Sequence, residues 1–433
     1  MNQNGTNYVK CRICGEIFEV GAEVCPVCGM GAEHFAPVEQ KVASYRNDTN
    51  RQFVILGSGR AAVSAAEAIR QRDGSGTITM ISAERELPYT RPMLTKQMFA
   101  ELGKSPFAFC EEGWFEDNQV RRVVGTIAKL DVENRKVLLE DGSSYPYDKC
   151  VYALGAHFFV PPFGGREDPR VTTLRTLEDL KKIRSLLETG REAAVIGGGV
   201  VGLEAAWELQ RYGCSVTVFD GGPSLMSNRL DPVASRLLQT LVEESGIRVV
   251  NDAAVQKYET GAVVLADGGE FPANLVLVSC GVRANSGIAA EAGVELGRAI
   301  IVNDRMETNV PGLYAAGDCV EFEGMNYALW PEADAQGRVA GANACGEELR
   351  YESEVYGMSM HLCNTELYAI GKTGGGEDFF VAEQLDEGRK TLKKYFFLEG
   401  ILQGATLIGD TRELARVTEW VNRGATYGEV VYA

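Results

Sequence analysis

Short apolar runs closed by a glycine turn, each followed by a stretch of helical spacing, recur twice along this 433-residue chain. The first passes through Phe53-Val54-Ile55-Leu56, the turn Gly57-Ser58-Gly59-Arg60-Ala61-Ala62 and a helical pattern from Ala61 to Arg70. A second apolar run, Thr77 to Ser82, follows, with Glu84 just beyond it. The other copy passes through Ala193-Ala194-Val195-Ile196, the turn Gly197-Gly198-Gly199-Val200-Val201-Gly202 and a helical pattern from Leu203 to Tyr212. It continues with Ser215 to Phe219 and ends at Asp220. Brief apolar runs alternating with helices predict buried parallel strands and an α/β fold. Residues 39–51 are polar and lack a period, so they read as a linker. Beyond residue 350, alternating stretches such as Lys393 to Leu398 and Gly404 to Gly409 predict a small sheet with a closing helix.

Each glycine turn carries a full nucleotide-binding pattern. It follows a strand, opens a helix, and precedes an acid at the next strand end about 20 residues past its last position. Gly57 and Gly59 in one copy, and Gly197 and Gly199 in the other, let backbone approach a pyrophosphate held at the positive end of a helix. Ala62 and Gly202 close the two turns. Glu84 and Asp220 then accept hydrogen bonds from a ribose. Two dinucleotides are therefore expected.

The composition, 45% hydrophobic and 24% charged with 49 Gly and 14 Pro, excludes a largely disordered chain. Its 43 basic and 60 acidic residues give a net charge of −17 without a basic stripe, which argues against nucleic acid and anionic membrane as partners. The N-terminus lacks the layout of a signal peptide, and no apolar run approaches the roughly 18 residues of a spanning helix. A cytoplasmic, multidomain protein is expected.

Seven of the eleven cysteines (Cys110, Cys150, Cys214, Cys280, Cys319, Cys345 and Cys363) are scattered singly in apolar segments, which fits buried thiols in a reducing compartment. The other four form Cys11-Arg12-Ile13-Cys14 and Cys25-Pro26-Val27-Cys28, each pair with a glycine directly after it. Two such knuckles facing each other make a closed site of four thiolates. By spacing alone, iron and zinc stay open. Tyr8, Ile17-Phe18 and His34-Phe35 around the knuckles resemble the small iron domain of rubredoxins, most closely the rubredoxin-like segment of rubrerythrins. That resemblance spans about residues 7–38 and implies an iron centre.

The rest of the chain resembles the FAD-dependent pyridine nucleotide-disulfide oxidoreductases over about residues 52–430. Thr308-Asn309-Val310-Pro311-Gly312-Leu313-Tyr314-Ala315-Ala316-Gly317-Asp318 is similar to their second flavin fingerprint, in which the aspartate, here Asp318, binds the ribityl chain. Tyr152-Ala153-Leu154-Gly155-Ala156 resembles the crossing from the FAD to the NAD domain. Val282-Arg283-Ala284-Asn285 resembles the return, with Ala284 where the family has proline. Pro88-Tyr89-Thr90-Arg91-Pro92-Met93-Leu94-Thr95-Lys96 resembles a segment of the NADH:rubredoxin, ferredoxin and nitrite reductase branch. There the lysine lies beside the flavin and pairs with a glutamate from the nucleotide turn, implying Lys96 and Glu204 here. Trp330-Pro331-Glu332-Ala333 opens a helix that, in the family, points at the flavin pyrimidine edge. Positions 86–98 hold no cysteine, so a dithiol relay is not expected.

The resemblance implies an FAD-binding domain at residues 52–167 and 284–350, interrupted by an NAD-binding domain at 168–283. A knuckle at 1–38, the linker at 39–51 and an interface domain at 351–433 complete the layout. The first turn should hold FAD and the second the nicotinamide. Asp220, followed by Gly221-Gly222 instead of arginine, favours NADH over its phosphorylated form. The expected activity is an NADH:rubredoxin-type oxidoreductase with its acceptor fused on, passing electrons to a rubredoxin, a rubrerythrin or a similar soluble protein. The chain would act as a monomer or homodimer. Two other readings are an NADH oxidase with a structural zinc knuckle and a flavin-based redox sensor.

Overall fold

The computed structural model describes residues 8–38, 43–105, 107–374, 376 and 378–432. Five parallel strands form the first sheet, in the order Leu313–Ala315, Lys149–Tyr152, Gln52–Leu56, Thr77–Ser82 and Val120–Val124. A second parallel sheet repeats the plan with Val171–Thr172, Leu275–Val278, Glu192–Ile196, Ser215–Phe219 and Arg248–Val250. Leu275–Val278 is buried at every position and Gln52–Leu56 at all but its first, which is why they are apolar runs without alternation. Each unit also carries a three-stranded antiparallel meander, at Ile127–Pro146 and at Val255–Pro272. Ala156–Phe158 pairs antiparallel with Val282–Ala284, so the outward and return crossings between the units lie side by side.

The first glycine turn starts the helix Arg60–Arg72, and the second starts Val200–Arg211. The first of these crosses the helix Trp330–Ala344 so closely that a Cβ on Gly337 would lie 2.3 Å from the Ala61 carbonyl oxygen. A Cβ on Gly341 would lie 2.3 Å from that of Ala65. Glycine opposite alanine permits this approach, and it fixes where both helices begin.

A five-stranded antiparallel sheet follows, in the order Met358–Leu362, Thr365–Gly371, Ile401–Ile408, Thr391–Leu398 and Phe380–Asp386. The amphipathic helix Leu414–Arg423 covers it, burying Leu414, Val417 and Trp420. The knuckle segment is a small antiparallel sheet of Ile17–Glu19, Tyr8–Cys11 and Phe35–Val38. It does not stand apart. Cys11, Ile13, Cys25 and Val27 share one apolar cluster with Tyr368, Ile370, Phe397 and Leu402 of the C-terminal sheet.

Of the stretch expected to be a linker, residues 39–42 lie outside the described residues. Residues 43–51 form no helix or strand, yet they are pinned. The Asn47 N–H donates to the Arg72 carbonyl at 2.7 Å, the Thr49 hydroxyl to Asp73 at 2.5 Å and the Arg51 guanidinium to the Cys345 carbonyl at 3.2 Å. Among the described residues no helix is long and apolar enough to cross a membrane.

The Gly341–Ala65 crossing leaves no room for a side chain. Gly341→Leu is expected to lower stability by about 1–3 kcal/mol, read from the urea midpoint. An unchanged midpoint would contradict this packing.

Candidate functional site

A cavity of about 1500 Å³ opens at the C-terminal edge of the first sheet and runs towards the second unit. Ligands of open α/β sheets bind at such edges, and this volume exceeds the roughly 300–1000 Å³ of ordinary small-molecule pockets. Gly57, Gly59, Glu84, Arg91, Pro92, Lys96, Gly155, Asp318 and Trp330 all line it. Ala62, the last residue of the first turn, lies beneath it, fully buried in the helix.

The helix starts are built to receive a ligand. Arg60–Arg72 and Trp330–Ala344 have no side-chain cap, and neither does Val200–Arg211. By contrast, Thr176 caps Leu177–Leu186 and Asp231 caps Pro232–Glu244. Uncapped first-turn N–H groups facing a cavity are ready donors for phosphate or another anionic group. Gly57 has φ +111°, and a Cβ there would meet the Ala153 carbonyl oxygen at 2.2 Å, whereas Gly59 faces open space. That pairing of tight turn and open cradle fits a bound dinucleotide such as FAD.

The polar wall is more interlocked than the motifs suggest. Glu84 accepts from the Tyr89 hydroxyl at 2.6 Å and pairs with the Arg91 guanidinium. Burial works against the Arg91 cation, but Tyr89 and Glu84 outweigh it and raise its pKa. Arg91 also donates to the Arg175 carbonyl at 2.8 Å. Arg175 in turn donates to Asp318 at 2.6 Å and lines the cavity. The motifs did not point to Arg175, since an arginine just ahead of a capped helix resembles any surface charge. Lys96 Nζ lies 2.7 Å from Glu204 Oε1, and the Thr95 hydroxyl donates to the other oxygen at 2.6 Å. These partners lie in different units, so the pair spans the seam between the two sheets.

Of the second turn only Val200 and Val201 border this cavity, with Glu204 just beyond, while its glycines do not. Gly197 has φ +111°, and a Cβ on Gly202 would collide with the Gly197 carbonyl oxygen at 2.0 Å. Gly199 is open. Asp220 accepts from the Gly198 N–H at 2.8 Å and from the Gly222 N–H at 2.7 Å, which holds the carboxylate beside the turn. This cradle fits a second dinucleotide.

The sulfur atoms of Cys11, Cys14, Cys25 and Cys28 lie within 4.8 Å of one another, with 3.6 Å between Cys11 and Cys28 and 3.5 Å between Cys14 and Cys25. Mutual hydrogen bonding among the four sulfurs draws the Cys11 thiol down and pushes the Cys14 thiol up. Four soft donors so arranged fit one tetrahedral iron or zinc ion. Gly15 and Gly29 close the knuckles at φ +76° and +78°. Cys14 and Cys28 also line the same cavity as Gly57, Gly59 and Asp318.

Glu16, which the sequence did not mark, is buried where the knuckle meets the cavity wall. It accepts from the Trp330 indole N–H at 2.8 Å and lies 3.6 Å from Arg60, which pairs with Asp334 at 2.9 Å. The seven lone cysteines are different. Burial raises the pKa of each, to about 12 for Cys110, Cys319 and Cys345 and about 11 for Cys280, so they rest as thiols.

The chain belongs to the pyridine nucleotide-disulphide oxidoreductase family, which it matches over residues 51–337. Membership of this family supports FAD and NAD(H) as cofactors. It is 31% identical over 386 residues to a nitrite reductase [NAD(P)H] of Bacillus subtilis (strain 168), covering 88% of this chain and 48% of that protein. The chain thus spans about half the length of the first curated relatives it matches. A ferredoxin–NAD(+) reductase component of the anthranilate 1,2-dioxygenase system of Burkholderia cepacia is 34% identical over 344 residues, covering 75% of this chain and 83% of the relative. The crystal structure of NADH:rubredoxin oxidoreductase from Clostridium acetobutylicum superposes with a TM-score of 0.74 at 24% identity, covering 88% and 98% of the two chains, which speaks to the fold.

Replacing one of four ligands should undo the metal site. Cys25→Ser is expected to cut metal content on the order of tenfold or more, read by elemental analysis of purified protein; full retention would contradict a four-sulfur site. Glu332 offers a pH test. Burial, helped by Glu354, pushes its carboxyl from 4.5 up to about 7, and one of its oxygens has no partner. From pH 4.5 to 7 the unfolded chain releases a proton that the folded chain keeps, so stability falls as pH rises through this window. Glu332→Gln, which retains an acceptor for the Tyr351 hydroxyl, should flatten that fall in urea melts at pH 5 and 8. Identical pH dependence in both proteins would refute the assignment.

Proposed function

We propose that the chain takes a hydride from NADH and delivers its two electrons, one at a time, to an iron ion held by Cys11, Cys14, Cys25 and Cys28. From there they go on to a soluble partner such as a rubredoxin or rubrerythrin. Each NADH yields one NAD⁺ and one proton and reduces the ferric site twice. FAD, when bound, supplies the change from two-electron to one-electron chemistry.

In this reading the first turn, Gly57, Gly59 and Ala62, holds the FAD pyrophosphate at the start of Arg60–Arg72. Glu84 and Arg91, with Pro92 behind them, secure its nucleotide half, and Gly155, Asp318 and Trp330 bound the remainder. The Lys96–Glu204 pair presents a cation whose charge is balanced within the wall, so it can orient the reacting ring without leaving an unpaired buried charge. Gly197, Gly199, Gly202 and Asp220 hold NADH, and the negative charge of Asp220, followed by Gly221-Gly222 instead of arginine, disfavours a 2′-phosphate. The observation that carries this reading is the shared wall: Cys14 and Cys28 border the cavity that the first glycine turn also borders. Burial pushes up the thiols of Cys110 and Cys319, which supports the knuckle over these cysteines as the acceptor.

Anaerobic stopped-flow absorbance after mixing with NADH tests the relay. Flavin bleaching should be followed by loss of the ferric-thiolate colour in the same molecules. Flavin reduction with no later change at the metal, or a site filled by zinc in protein from its own source, would overturn it.

A further inference from the structure

We propose that Glu16 is a positioning residue. Its carboxylate, shared between the Trp330 indole and the Arg60 guanidinium, seats the four-cysteine knuckle at the cavity mouth, so that the metal site resides in the reductase instead of visiting it on a tether. The functional weight of this seat rests on the relay proposed above; the seat itself does not.

Three observations converge on Glu16. It is 8% exposed, and its two partners come from other parts of the fold: Arg60 from the first nucleotide turn and Trp330 from the first turn of another helix. The charges around it balance, with Glu16 and Asp334 facing Arg60 and Arg338. A carboxylate buried in such a set is tolerated only while its counter-charges stay in place. On a freely moving knuckle the same residue would be desolvated at every approach. Next to it, Gly15 presses against the wall: a Cβ there would lie 2.7 Å from the Tyr356 ring and 3.2 Å from Pro331. The knuckle backbone is therefore fitted to that helix start, and a side chain would lift it away.

Among the described residues the knuckle also meets the C-terminal region by charge through Lys10 and Glu354 at 3.1 Å, a pair with Glu354 exposed and Lys10 half-buried that holds little. The apolar contribution of Ile13 and Val27 sets the area of the seat, but it has no direction. Glu16 supplies the direction, because a hydrogen bond and an ion pair with different elements can both be met in one orientation only.

The test uses the full chain with its flavin and metal, and the variants Glu16→Ala and Glu16→Gln. The first removes both contacts; the second keeps an acceptor for the indole and loses the ion pair. Hydrogen exchange is followed in peptides covering residues 8–38, 327–335 and 353–359. Exchange should speed up at least about tenfold in Glu16→Ala and by less in Glu16→Gln. Flavin bleaching by NADH should stay within about twofold of the parent, while the flavin-to-metal step slows by about tenfold or more. Metal content is measured on each, and Glu16→Gln decides if Glu16→Ala loses its ion. Parent-like exchange in both variants would overturn the seat. Loss of protection with an unchanged transfer rate would overturn its positioning role. If the parent itself never reduces its metal, the relay fails, and the exchange data still judge the seat.

Discussion

A buried carboxyl must either keep its proton, as Glu332 does, or find polar partners, and Glu16 finds Arg60 and the Trp330 indole where three parts of the fold converge. The knuckle brings the acid, the first nucleotide turn brings Arg60, and the helix Trp330–Ala344 brings both Asp334 and the indole. Moving any one of them exposes an unpaired charge to an apolar seam. The same helix is fixed from its other side by the Gly337 and Gly341 contacts with Arg60–Arg72. Cavity floor, cavity wall and metal knuckle are thus held by one connected set of contacts, and the C-terminal sheet completes it by burying Cys11 and Cys25.

The two parallel units obey a common rule. Each places a glycine with φ +111° at the strand end, lets a neighbouring carbonyl fill the space of the missing Cβ, and leaves the following helix without a side-chain cap. Helices elsewhere in the same chain carry ordinary caps from Thr176 and Asp231. The antiparallel pairing of Ala156–Phe158 with Val282–Ala284 then sets how the units face each other.

What could be read before the structure was known depends on range along the chain. A glycine turn, its strand and its acid lie within one short unit, so their pattern survives as text. The helical spacing places a helix start at Leu203, whereas the helix begins at Val200, because Gly199 of the turn itself serves as the N-cap. The pairing of Lys96 with Glu204 crosses more than a hundred positions and was reachable only through a family resemblance. Arg175 and Glu16 were not legible at all. In sequence each is a charge in a polar neighbourhood, and only burial by distant elements gives it a partner and a task. The polar stretch at 43–51 shows the converse: its composition suggests a free tether, whereas its side chains and backbone are spent on Arg72, Asp73 and Cys345.

The proposed relay requires one chain to hold both a two-electron carrier and a one-electron metal site. Anaerobic titration with NADH, followed to full reduction by absorbance, counts the electrons directly. A flavin accepting two and an iron site accepting one require about 1.5 equivalents of NADH per chain. An end point at about one equivalent, with the metal spectrum unaltered, would contradict the account.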